Sequence, residues 1–183
     1  LAKVRIQQKR YDQAVELLQQ RYKAASHAEN LYDLAEGLEL AGHQDEAAKA
    51  FAEFETKSLL ESVRADNSNR ELIFYYADHA HLPAKALDVA RQEYGRRHDV
   101  YTLDAYAWSL HLNGRDAEAR QQIEVALAVG VHDTRMLRHA GEIALKLGDR
   151  AAAERYLRDS AALNAPGSEQ ARMTLAALTP QSQ

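Results

Sequence analysis

The sequence predicts an all-α chain, an array of antiparallel helix pairs, on two observations. The first is composition. Alanine occurs 34 times in 183 residues, against 8 glycines and 3 prolines, so the strongest helix former is abundant and the breakers are few. The second is an internal period. A helix-breaking residue, a polar turn and then an alanine five residues on recur as Gly42-His43-Gln44-Asp45-Glu46-Ala47, Gly114-Arg115-Asp116-Ala117-Glu118-Ala119 and Gly148-Asp149-Arg150-Ala151-Ala152-Ala153. Weaker copies end at Ala14 and Ala86, so the anchors are 14, 47, 86, 119 and 153, spaced by 33, 39, 33 and 34 residues.

Each part of the pattern has a physical reason. Glycine ends a helix cheaply because it tolerates a left-handed backbone. Asp45, Asp116 and Asp149 follow those glycines, where a carboxylate can cap the next helix. The anchor alanine lets two helices approach closely. Twelve residues earlier Ala35, Ala107 and Gly141 supply the small side chain for the other half of the contact. Large apolar residues fill the gaps: Leu31, Leu103 and Leu137 sixteen before the anchor, and Leu18, Phe51, Ile123 and Leu157 four after it.

In order, helices are expected over 1–8 and 11–24, 28–41 and 44–64, 69–80 and 83–96, 100–113 and 116–129, 133–147 and 150–164, and 168–178. The pairs define repeats of about 1–26, 27–65, 66–98, 99–131 and 132–165. The third repeat departs from the pattern. It has Phe74 for the small residue, Arg70 for the large one and Ala90 for the later large one, and about 6 extra residues precede it. These are expected to lengthen the second helix before it and to form a loop over Asp66-Asn67-Ser68-Asn69. The helix over 168–178 carries Ala171, Leu175 and Leu178 on one face. It is expected to cap the array, since a terminal repeat needs a polar outer face, and residues 179–183 form a polar tail. The first helix, Leu1–Gln8, has half the usual length and the chain opens without Met, so the natural protein is expected to continue upstream.

Composition narrows the function classes. Lys+Arg is 23 and Asp+Glu 27, a net charge of −4, which argues against the basic footprint of nucleic-acid binding. Cysteine is absent, which excludes disulfides, thiolate zinc sites and a cysteine nucleophile. No run approaches 18 consecutive apolar residues, so no membrane insertion is expected.

With these residues in place, the chain resembles the tetratricopeptide repeat (TPR) family over nearly all of residues 1–165, most closely in the repeats anchored on Ala47, Ala119 and Ala153. Armadillo and HEAT repeats run longer, ~40–47 residues. The resemblance implies a right-handed superhelical solenoid of about five repeats plus the capping helix, with the first helices lining a concave groove. Helical geometry then assigns the groove residues. They are Tyr32, Glu36 and Glu39 in the second repeat, and Glu71, Tyr75 and Asp78 in the third. The fourth offers Tyr101, Asp104, Trp108 and His111. The fifth offers Arg135, Arg138 and Glu142, with Lys146 one turn further.

Tyr and Trp are enriched in recognition surfaces, although Trp108 could equally pack between repeats. The expected ligand is a peptide segment of another protein, cationic or polar against Glu36, Glu39, Glu71, Asp78 and Asp104 and acidic against Arg135 and Arg138. The carboxylate clamp of chaperone co-factors needs Lys and Asn where this chain has Tyr32 and Glu36, so it is not expected.

Catalysis finds little support. His79-Ala80-His81 lacks a third metal ligand of clear spacing. His111 and Asp104 lack a nucleophile, since Ser109, two residues from His111, faces elsewhere. The glycines are single, so there is no phosphate loop. No cofactor or metal is expected. The chain reads as a non-catalytic protein–protein interaction module with a scaffold or assembly role. The alternative is the repeat portion of a larger enzyme or of an envelope or transport complex. Self-association through the first-repeat face, with Leu1, Val4 and Tyr11 uncovered, is a further expectation.

Overall fold

Glycine's left-handed backbone punctuates the chain where the period places it. Gly42, Gly114 and Gly148 have φ of +80°, +73° and +79°. The two weaker repeats use the same conformation at the same place without glycine. Lys9 and His81, each five residues before its anchor, have φ of 57° and 53°. A side chain in that region costs about 1 kcal/mol, so the position is set by the hairpin geometry and not by glycine itself.

The computed structural model describes residues 1–62, 64 and 68–178, and every regular element among them is helical. They are α1 (Ala2–Gln7), α2 (Tyr11–Ala24), α3 (Ala28–Leu40), α4 (Gln44–Glu61), α5 (Arg70–Phe74), a π-helical turn (Tyr75–His79), α6 (Pro83–Tyr94), α7 (Val100–Leu112), α8 (Asp116–Ala128), α9 (Thr134–Lys146), α10 (Arg150–Ala162) and α11 (Ser168–Leu178). Three expectations change. The helix expected over 69–80 is α-helical only to Phe74 and then widens into the π turn. That turn begins just after Phe74, the large residue that replaces the expected small one. Capping is also redistributed. Asp149 caps α10 by accepting from the Ala152 amide at 3.1 Å, but α4 and α8 begin one residue before Asp45 and at Asp116, so these carboxylates lie inside the first turn. Asp99 and Asp133 cap α7 and α9 instead. Helix α4 ends at Glu61. Val63, Asp66, Asn67 and the tail 179–183 lie outside the described residues.

The chain divides into two units, Leu1–Tyr75 and Tyr76–Gln183. In the first, α1 packs on α2, α2 on α3 and α3 on α4. The anchors Ala14 and Ala47 are buried with Ala35, Leu18, Leu31 and Phe51. In the second, each helix from α6 to α11 packs on the next, and α7 also meets α9. Its core joins Leu87, Leu103, Ala107, Leu110, Ala119, Ile123, Met136, Ala140 and Ile143. Ala86 and Ala153 are fully buried as well. All five anchors are therefore interior, as close helix contact at small side chains requires.

Candidate functional site

The first helices of the pairs carry the expected contact residues, and each unit gathers its own set. In the first unit, α3 and α4 bring Tyr32 against Phe51 and Phe54, with ring centroids 6.0 and 5.1 Å apart. Tyr75 stacks on Phe51 at 5.5 Å and meets Phe54 edge-on at 5.8 Å. The two phenols face carboxylates: Tyr32 donates to Glu36 Oε1 at 2.9 Å and Tyr75 to Glu55 Oε2 at 3.3 Å. Burial, with the Glu55 charge behind it, raises the Tyr75 phenol above its usual range. Tyr32 is buried, while Glu36, Glu39 and Tyr75 are half-buried. Glu71 pairs with Arg70 at 2.6 Å. It borders an open cleft of about 350 Å³ with Glu29, Phe54, Glu61 and Leu72 among its lining.

In the second unit a polar and aromatic cluster forms around Trp108. Its indole Nε1 donates to Asp78 Oδ1 at 2.8 Å. The ring lies nearly parallel to that of His139, 4.2 Å away at 10°, and stacks on His111 at 5.1 Å. The Arg138 guanidinium lies over the indole, 5.1 Å from its centroid. Arg138 also donates from Nη1 to Glu142 Oε1 at 2.8 Å, and its Nη2 lies 3.1 Å from His139 Nε2. The other ring nitrogen, Nδ1, lies 2.7 Å from Asp104 Oδ1. His111 Nδ1 meets Asp116 Oδ1 at 2.5 Å.

These contacts fix the state of His139. A guanidinium has only donors, so Nε2 must accept and Nδ1 carries the proton toward Asp104. Such an imidazole is neutral. Its side chain is wholly buried, and its pKa falls well below the usual 6.5, first through burial, then through Arg138 and Arg135, with Asp78 and Glu142 opposing.

A pH dependence of stability follows. In the unfolded chain this histidine takes a proton near pH ~6.5, whereas in the folded chain it does so only at lower pH. Below that pH the unfolded state binds more protons, so stability falls as pH falls, by at most about 1.4 kcal/mol per pH unit. Urea unfolding at pH 7.5 and 5.5 is expected to show a loss about 1 kcal/mol larger for the wild type than for His139→Gln. Equal losses would remove His139 as the cause.

The structure therefore separates the predicted groove residues. Asp104, Trp108 and Tyr32 are buried, and their contacts are with other parts of the same unit. Asp78, His111, Arg135, Arg138 and Glu142 are half-buried, and Tyr101 is 43% exposed. The sequence reading did not single out His139. A signal was present: His139 falls between Met136 and Ile143, three after the one and four before the other, on an otherwise apolar stripe, where a polar ring must find partners. Ser109 is occupied, its hydroxyl donating to the Ala105 carbonyl at 2.9 Å. Among the described residues no group of three or more His, Asp or Glu side chains is placed to hold a metal, and no helix is long and apolar enough to cross a membrane.

No protein-family model and no curated protein matches this chain. Solved structures do. The chain is similar to PilW, described as a widely conserved type IV pilus biogenesis factor, with a TM-score of 0.59 and 14% identity, covering 100% of this chain and 92% of that one. A MamA structure from Desulfovibrio magneticus RS-1, from residue 41 to its end, aligns with a TM-score of 0.45 and 12% identity, over 100% of this chain and 93% of that one. The PilW likeness shows a TPR-like helical-repeat fold.

Proposed function

We propose that the chain is a non-catalytic protein-binding helical repeat, in which first helices α7 and α9 receive a peptide segment of a partner protein. The observation that carries this reading is Arg138, held half-buried over Trp108 and tied to Glu142 and His139. A guanidinium so fixed has already lost much of its rotamer entropy, so a ligand that engages it has less ordering to offset. Tyr101 on α7 adds an exposed aromatic, and Arg135, His111, Glu142 and Asp78 add a mixed charged rim. Tyr, Trp and Arg dominate binding hot spots. Asp104, Trp108 and Tyr32 act in this reading as supports beneath the contact residues. An acidic group of the ligand would meet Arg135 and Arg138. In the first unit Glu36, Glu39, Glu71 and Tyr75 form an acidic and aromatic face suited to a cationic or polar segment. A scaffold or assembly role is in keeping with a fold shared with a pilus biogenesis factor.

The test uses a random peptide library displayed against the purified chain, followed by fluorescence anisotropy on the enriched peptide. Tyr101→Ala combined with Arg135→Glu is expected to weaken binding at least ~10-fold, about 1.4 kcal/mol, with helical content unchanged. Raising the salt should weaken the wild-type complex, as expected where charge steers association. If no peptide is enriched over the double variant, the assignment of this face fails.

A further inference from the structure

We propose that His139 is a positioning residue for this binding face, and that protonating its Nε2 releases Arg138 from Trp108 and loosens the face in acid. The geometry points to it directly. Arg138 approaches His139 through Nη2, 3.1 Å from Nε2, and that contact is a hydrogen bond only while Nε2 keeps its lone pair. When Nε2 gains a proton it becomes a donor, and two cationic N–H groups then face each other at the same distance. Arg138 keeps its bond to Glu142 at 2.8 Å, so it has an anchor about which to swing away. The Nδ1 proton stays with Asp104, 2.7 Å away, so the imidazolium retains its own partner. The contact most weakened by protonation is the one that holds Arg138.

The groups that face His139 are consistent with a local release. The π turn contributes Asp78, which accepts from the Trp108 indole. Helix α7 contributes Asp104 at Nδ1 and, across Trp108, His111. Helix α9 contributes Arg135, Arg138 and Glu142, of which the two arginines oppose a positive charge on the ring and Glu142 favours it. Burial holds the imidazole neutral near pH 7, so the face is set under neutral conditions and changes only on the acid side. The link to binding rests on the proposed function. The motion around Trp108 does not.

Trp108 is the only tryptophan in the chain, and it lies against His139, so its fluorescence reports the motion without any ligand. The experiment follows emission and far-UV circular dichroism together between pH 8 and 4 for the wild type, His139→Gln and His111→Gln. Gln at 139 offers a donor and an acceptor but no titrating group. The expected result is an emission change in the wild type and in His111→Gln, with a midpoint below pH 6.5 and helical content intact, and its absence in His139→Gln. Three results would overturn the proposal: emission that stays flat while helix persists to pH 4, a transition retained in His139→Gln, or an emission change that coincides with loss of helix. In a second arm, the peptide enriched at pH 7.5 should bind the wild type at least tenfold more weakly on the acid side of that midpoint and His139→Gln about equally at both pH values. If no peptide is found, the binding reading fails while the fluorescence result still decides whether His139 moves Arg138.

Discussion

Replacing His139 with leucine is expected to lower the unfolding free energy by about 3 kcal/mol, the largest loss of any single change at the cluster. Leucine is close in size and apolar, so the core around it is not emptied. What it removes is chemical: a donor toward Asp104 at 2.7 Å and an acceptor for Arg138 at 3.1 Å. Asp104 is only 3% exposed, and a carboxylate in that setting that loses a hydrogen-bond partner incurs a desolvation cost. The reverse change, Asp104→Leu, leaves Nδ1–H without its acceptor and should also destabilise. The double variant Asp104→Leu/His139→Leu removes both polar ends together, so it should lose clearly less than the sum of the single losses. Urea unfolding of the four proteins, at pH 7.5 where the imidazole is neutral, measures the coupling. Simple additivity would mean that the contact contributes little and that His139 is held by packing alone.

The period in the sequence reached the fold because small side chains at helix contacts leave a direct trace. Ala14, Ala47, Ala86, Ala119 and Ala153 are all buried, including the two anchors in repeats that lack the glycine. The punctuation was less legible. Lys9 and His81 adopt the left-handed backbone that glycine adopts elsewhere; histidine shares some of asparagine's preference for it, but nothing marks a lysine. Capping slipped by one residue at Asp116 and by two at Asp45, so both entered the first turn, and Asp116 took His111 as its partner.

The candidate site was legible by helix and not by exposure. A helical wheel places Asp104 and Trp108 on the face away from the paired helix but holds no neighbours. In the folded unit α9 lies beside α7 and lays His139 and Arg138 on those very side chains. In the first unit, Phe51 and Phe54 of α4 close over Tyr32 in the same way. Of the predicted residues only Tyr101 and Lys146 are exposed, at the start of α7 and at the end of α9. The π turn, too, had only a negative sign in the sequence, the absence of a small residue at Phe74.

Gly141→Val is expected to cost about 3 kcal/mol and Gly141→Ala about 2, whereas Gly37→Ala should lie within about 1 kcal/mol of the wild type. Both glycines are buried within helices, and a Cβ built on either meets a leucine carbon at 2.6 Å. The difference is which carbon. At Gly37 it is Cδ1 of Leu18, a terminal methyl that rotates away, with Val15 Cγ2 next at 3.8 Å. The helix gains the better propensity of alanine, worth up to ~1 kcal/mol, against that small adjustment. At Gly141 it is Cγ of Leu157, the branch point, with Cδ2 at 2.9 Å and the Ala153 carbonyl oxygen at 3.4 Å. Leu157 and Ala153 are fully buried, so neither can yield without shifting α10 against α9. Ala35 and Ala107 occupy the equivalent place in their repeats and carry a Cβ there, so α9 and α10 are set closer than the pattern alone requires. Valine adds two methyls to the same gap and a β-branch that restricts its escape. Urea midpoints of the three variants decide the matter. If Gly141→Ala unfolds at the same urea concentration as Gly37→Ala, α9 and α10 do not meet at the distance that makes glycine necessary.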